Sequence, residues 1–155
     1  YIPLIFMISV NLWYGVSMNL SIAETVFYII SMLAVGFLEE IIFRGFLFKL
    51  LEKDNVNKAI IITSITFGIG HIVNLLNGAD IITTLIQICY SISIGYLFAI
   101  IFHKGKSLWP CIITHSLTNS LSIFNIDNTI SLYIAPIFLI IIPITYALYI
   151  NKNIN

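Results

Sequence analysis

Six polar side chains sit where an otherwise apolar sequence has little room for them: Glu39, Glu40, Arg44, His71, His115 and Asn119. A charged group at the centre of a membrane helix costs about 2.5 to 3.5 kcal/mol on insertion scales, so each needs a partner or a task. Glu40 and Arg44 are four apart, acid before base, and can neutralise each other on one helical face. Glu39 points about 100° away from Glu40 around the helix and has no cation at its own i+3 or i+4 position. Its partner must come from another helix or from water. His71 follows Phe67-Gly68-Ile69-Gly70, whose glycines clear the turn before it, and His115 and Asn119 are again four apart and share a face. Taken singly, each has a plain structural explanation: an ion pair, an interhelical hydrogen bond or close packing.

Together they can do hydrolytic chemistry. The sequence carries no Gly-x-Ser-x-Gly, no His-Glu-x-x-His and no Gly-x-Gly-Asp, so no serine, zinc-helix or aspartate signature stands out. Water is then the simplest nucleophile. A carboxylate and a neutral imidazole facing one water can take its proton as it attacks an amide carbonyl, while an imidazole and a carboxamide N–H stabilise the oxyanion. The same Glu39, His71 and His115 also form a donor set for a divalent metal such as zinc, with an open position for water. The sequence is compatible with either route, with a metal or with none.

The elements that must position these groups are membrane helices. The 155 residues are 59% hydrophobic and 9% charged, with seven Lys/Arg against seven Asp/Glu and a mean hydropathy of +1.03. That is the composition of an integral membrane domain; zero net charge and the lack of a basic run argue against a nucleic-acid partner. Uncharged runs cover Tyr1–Ala23, Thr25–Leu38, Ala59–Ala79, Ile81–Phe102, Ser107–Ile126 and Asn128–Asn151. The expected fold is all-α, a polytopic bundle of about six spans, with the second run continuing through its charges as one helix from about Ile22 to Leu51. Asn77-Gly78, Lys104-Gly105-Lys106 and Asn125-Ile126-Asp127-Asn128 supply turns, and Trp109-Pro110 opens the fifth helix. Pro136 and Pro143 are candidate kinks. Cys89 and Cys111 lie in apolar stretches and read as small buried hydrophobes. Residue 1 is Tyr rather than Met, so the chain is expected to be a fragment, with no N-terminal signal to read.

Orientation follows from the lysines. Lys49, Lys53, Lys58, Lys104, Lys106 and Lys152 all fall at alternate connections or ends, which the positive-inside rule assigns to the cytoplasm. Counting from those lysines at about 1.5 Å per residue, Glu39 lies about 15 Å deep, His71 about 20 Å, His115 about 14 Å and Asn119 about 20 Å. Three helices place polar groups in one slab, so a shared site is expected within the bundle, open to water from the cytoplasmic side.

Glu39-Glu40-Ile41-Ile42-Phe43-Arg44, Phe67-Gly68-Ile69-Gly70-His71 and His115-Ser116-Leu117-Thr118-Asn119 resemble, in order and spacing, the motifs of the CPBP (Abi) family. That family comprises CAAX prenyl endopeptidases of the Ras-converting-enzyme type and bacterial bacteriocin-processing and immunity proteins. The resemblance covers about residues 33–121, the motif-bearing core of a single domain over 1–155. It implies that Glu39 and His71 activate water, that His115 and Asn119 form the oxyanion hole and that Glu40 and Arg44 support the site. It further implies an intramembrane endopeptidase in a bacterial plasma membrane, acting on a peptide or lipidated peptide among membrane lipids. Two other functions compete: a non-catalytic immunity or scaffold protein whose cavity holds a peptide uncut, and a proton- or ion-coupled transporter relaying charge through Glu39 and His71.

Overall fold

The computed structural model describes residues 1–126 and 128–153, and every regular element among them is helical. In chain order, α1 spans Ile2–Leu12, α2 Ile22–Leu51, α3 Val56–Asn77, α4 Ile81–Gly105, α5 Trp109–Leu121 with an added 3₁₀ turn Ser122–Phe124, and α6 Thr129–Asn153. Asp127 of the expected last turn lies outside the described residues.

Local chemistry sets the helix ends. Ser21 caps α2 in a reciprocal box, its hydroxyl accepting from the Glu24 N–H while the Glu24 carboxylate accepts from the Ser21 N–H. Asn55 caps α3 by accepting from Lys58 N–H at 2.9 Å, and Asp80 caps α4 by accepting from the N–H groups of Ile82 and Thr83. Gly78, at φ +85°, takes the left-handed position that ends α3. At the end of α4 that position falls on Lys106, at φ +53°, rather than on Gly105. α6 continues through Pro136 and Pro143.

Four of the helices, α2, α3, α4 and α6, are long and apolar enough to cross a bilayer, where the uncharged runs lead one to expect about six. The first run is uncharged throughout but not helical throughout. Its helix stops at Leu12, and Gly15 at φ +109° turns the chain before Ser21 starts α2. The fifth run also falls short, because α5 leaves α-helical geometry at Ser122, whose hydroxyl donates to the Asn119 carbonyl.

α2 itself matches the expected Ile22–Leu51, with one departure: Ile41–Phe48 is wound as a π-helix immediately after the paired glutamates. α4 is the central helix, packed on α3 along one side and α6 along the other. Its residues Leu97–Phe102 are buried without interruption. Glycines permit the closest approaches. A side chain at Gly36 would run into the Ser116 backbone on α5, where the Ser116 hydroxyl also donates to the Leu33 carbonyl at 3.1 Å. Cys111 is buried as expected, but Cys89 is exposed on the outer surface of α4, since the run that contains it has a lipid-facing side as well as a packed one.

Candidate active site

The pairing that spacing implies on α2 is formed. Arg44 Nη1 donates to Glu40 Oε1 at 2.9 Å, and both side chains are fully buried. The second Arg44 nitrogen donates to the Gly95 carbonyl of α4 at 3.1 Å. A side chain on Gly95 would press against the Ser64 backbone, so the small residue lets α3, α4 and this carbonyl come together. The guanidinium carbon lies 4.6 Å from the ring centre of Phe67 and 5.4 Å from that of Phe98, a cation–π wrapping that replaces hydration. Glu40 Oε2 and Arg44 Nε have no partner among the described residues, so the pair is buried at a cost.

Glu40 has a second role that its sequence position does not reveal. His115 Nδ1 stands 2.9 Å from Glu40 Oε1, so the carboxylate that neutralises Arg44 also fixes the orientation of the imidazole. The opposite nitrogen, Nε2, lies 3.7 Å from Glu39 Oε2. Glu39 thus finds its cross-helix neighbour in His115. It keeps 33% of its side chain accessible, whereas His115 keeps 8%.

Glu39, His71, His115 and Asn119 line one cavity of about 440 Å³. Phe67 forms part of its wall, its ring standing edge-on to His71 at 5.6 Å and to His115 at 5.5 Å. The chain positions His71 at the point where α3 passes from α-helix into the 3₁₀ turn His71–Asn77. Behind it lie two amides that no motif marks. Asn74 Nδ2 donates to Gln87 Oε1 at 2.8 Å, which turns the Gln87 amide nitrogen toward His71 Nδ1 at 3.5 Å. An amide nitrogen can only donate, so Nδ1 accepts and the His71 proton resides on Nε2. A polar residue on the inward face of α4, about two turns from the Asp80 cap, was the available sequence signal for Gln87.

Among the described residues no three His, Cys, Asp or Glu side chains converge as a metal-binding group. With Nδ1 of His115 held by Glu40, Nε2 is the nitrogen left to face Glu39 and the cavity.

From the four side chains the cavity extends toward the lysine-free ends of α2 and α5. From Glu39 its lining on α2 runs back through Val35 and Met32 to Tyr28, toward the lysine-free end. On α5 it runs from His115 through Asn119 to Ser122, again away from the lysines. On the lysine side, Phe43, Phe67 and Phe98 close it around Arg44. The cause is a divergence of helices. α3 meets α2 along Ile41–Leu51, but the Ile22–Glu40 part of α2 packs on α5 while His71–Asn77 packs on α4. Depth along a helix fixes the level of a site and says nothing about which end of the bundle is splayed.

No curated protein and no solved structure matches the chain. A family model does. The model described as type II CAAX prenyl endopeptidase Rce1-like matches residues 21–121, from the cap of α2 to the end of α5, and so takes in every helix that contributes a polar group to the cavity. The chain belongs to this Rce1-like family of membrane proteases.

Proposed function

We propose that the protein is an intramembrane endopeptidase of a bacterial plasma membrane, in which Glu39, His71, His115 and Asn119 act on a water and a peptide carbonyl. Glu39 is the general base. It is the accessible carboxylate of the set and is not consumed by Arg44. His71, with its proton on Nε2, holds the water by donating to it. The water oxygen forms a bond to the carbonyl carbon as its proton passes to Glu39. The oxyanion is met by His115 Nε2–H and the Asn119 amide, and the proton on Glu39 then moves to the leaving nitrogen as the C–N bond breaks.

The observation that carries this reading is the single one that three helices bring the four side chains to one cavity, with His115 bridged between two glutamates. The test is cleavage of a pool of membrane-active and lipidated peptides by detergent-purified protein, read by mass spectrometry. Cleavage by the parent protein that is absent in Glu39→Gln and His71→Ala, with both variants still folded, supports it. Equal cleavage by Glu39→Gln removes that residue from the mechanism. Uncut peptides held tightly by parent and variant alike favour the peptide-holding scaffold instead.

A further inference from the structure

The three groups that stand beside Glu39 are held in different ways. Glu40 fixes the His115 ring, and Gln87 turns toward the His71 ring. No side chain among the described residues bonds to the Asn119 amide, so its place in the cavity is set by the backbone that carries it. That backbone stands where α5 leaves α-helical geometry.

We propose that Asn11 of α1 is a positioning residue for Asn119, holding the last turn of α5 so that the amide faces the oxyanion. The inference rests on the endopeptidase reading, and it adds to the site a helix that precedes the family match over residues 21–121.

The break in α5 creates the need. In a continuing α-helix the Ser122 N–H would bond to the Thr118 carbonyl, but here it bonds to that of Asn119. The Thr118 carbonyl thereby loses its helical donor within a membrane domain, where an unpaired carbonyl is costly. Asn11 Nδ2 supplies the replacement at 2.7 Å, and the Thr118 hydroxyl donates back to the Met7 carbonyl of α1 at 3.5 Å. On the other side of Asn119, its own carbonyl accepts from the Ser122 hydroxyl at 2.7 Å, which uses that hydroxyl's one proton. The Tyr28 hydroxyl, 2.8 Å from the Ser122 oxygen, is therefore the donor to it. Both peptide groups that flank the Asn119 Cα are pinned, one from α1 and one through Tyr28 of α2.

Hydrogen bonds carry this task because packing is thin here. Asn11 lies in the walls of both the site cavity and a neighbouring one of about 670 Å³, so open space rather than close-packed side chains surrounds it. The connection that leaves α1 continues the pattern. Ser17 N–H donates to the Phe124 carbonyl at 3.0 Å, and Asn19 Nδ2 to the Ile123 carbonyl at 2.9 Å. Residues 11–19 thus close the end of α5 carbonyl by carbonyl.

A double-mutant cycle separates positioning of Asn119 from general support. Asn11→Leu keeps the size of the side chain and removes the donor. In the detergent-purified full chain, with a peptide that it cuts, we expect kcat to fall about tenfold at unchanged KM. A small displacement forfeits part of the about 10²- to 10³-fold that an oxyanion donor supplies. In an Asn119→Ala background the same change should alter kcat by less than about twofold. Tyr28→Phe removes one oxygen, should repeat the pattern with about a threefold loss, and decides the matter if Asn11→Leu does not fold. Full activity of these variants, an equal loss with and without Asn119, or a rise in KM alone overturns the proposal. Hydrogen exchange keeps the two readings apart. Asn11→Leu should speed exchange of the amides of residues 119–124 while those of α4 stay protected, and unchanged exchange across 119–124 overturns the proposal whether or not any peptide is cut. A parent protein that cuts no peptide, with 119–124 loosened in Asn11→Leu, refutes the endopeptidase reading and leaves Asn11 as the holder of Asn119.

Discussion

The two ends of this bundle are built differently. At the lysine end, α4 is buried on every side from Leu97 to Phe102, α6 contributes Ala147 and Ile150 to the same core, and a fully buried ion pair is tied to a backbone carbonyl. At the lysine-free end, α2 and α3 separate, the cavities lie between the helices, and contacts are made by single polar groups. Asn11 Nδ2 donates to the Thr118 carbonyl at 2.7 Å, and the Tyr28 and Ser122 hydroxyls meet at 2.8 Å. The solid end fixes geometry and the hollow end holds chemistry. Glu40 and Glu39, adjacent in sequence, fall on opposite sides of that division.

Substitutions can break or sharpen the contrast. The largest effect is expected at the boundary: Arg44→Ala leaves Glu40 buried without its cation and should cost about 3 to 5 kcal/mol. A lowered denaturation midpoint in detergent, with loss of cleavage, is the expected outcome; an unchanged midpoint would show that the ion pair is not structural. Glu39→Gln, one residue before Glu40, should do the reverse. Loss of a general base lowers turnover by about 10² to 10⁴-fold, and the midpoint should stay where it was. A third change separates tight packing from open space. Gly36→Val drives a side chain into the Ser116 backbone and should cost about 1 to 3 kcal/mol, as overpacking does. Gly70→Ala, with nothing within 4 Å of the added carbon, should leave the midpoint within about 0.5 kcal/mol. The smallest effect on turnover belongs to Gln87→Leu. Losing one hydrogen bond of about 1 kcal/mol to His71 should lower kcat roughly fivefold at unchanged KM. A change in KM alone would assign Gln87 to substrate binding.

Much of this was legible in the sequence. The span of α2 follows from its hydrophobic run and the Ser21 cap, the Glu40–Arg44 pair from a spacing of four, and the common level of Glu39, His71, His115 and Asn119 from counting residues. What was hidden depends on how helices lean. Whether Glu40 touches His115, 75 residues away, is decided by the approach of α5 to α2 at Gly36 and not by either local pattern. The hollow end arises where α3 leaves α2, and no periodicity records that departure. The helices α1 and α5 are shorter than their uncharged runs because hydropathy measures a run of side chains and not the backbone break at Gly15 or Ser122. Gln87 escaped because no His or acid stands one turn away on α4, as His115 does for Asn119; Asn74, three residues past His71, was open to the same spacing argument.

The aromatic enclosure of Arg44 also bears on how the chain enters the bilayer. As α2 is made, it brings Glu39, Glu40 and Arg44 with it and has only the one internal pair to offset them. The carbonyl that completes Arg44 lies 51 residues downstream, and the imidazole that completes Glu40 lies 75 residues downstream. A nascent chain ending before Gly95 therefore holds α2 with its charges half-satisfied, and firm seating of that helix waits for α4. In this protein the order of synthesis and the order of helix insertion need not coincide: α2 is settled by α4, which is made after it.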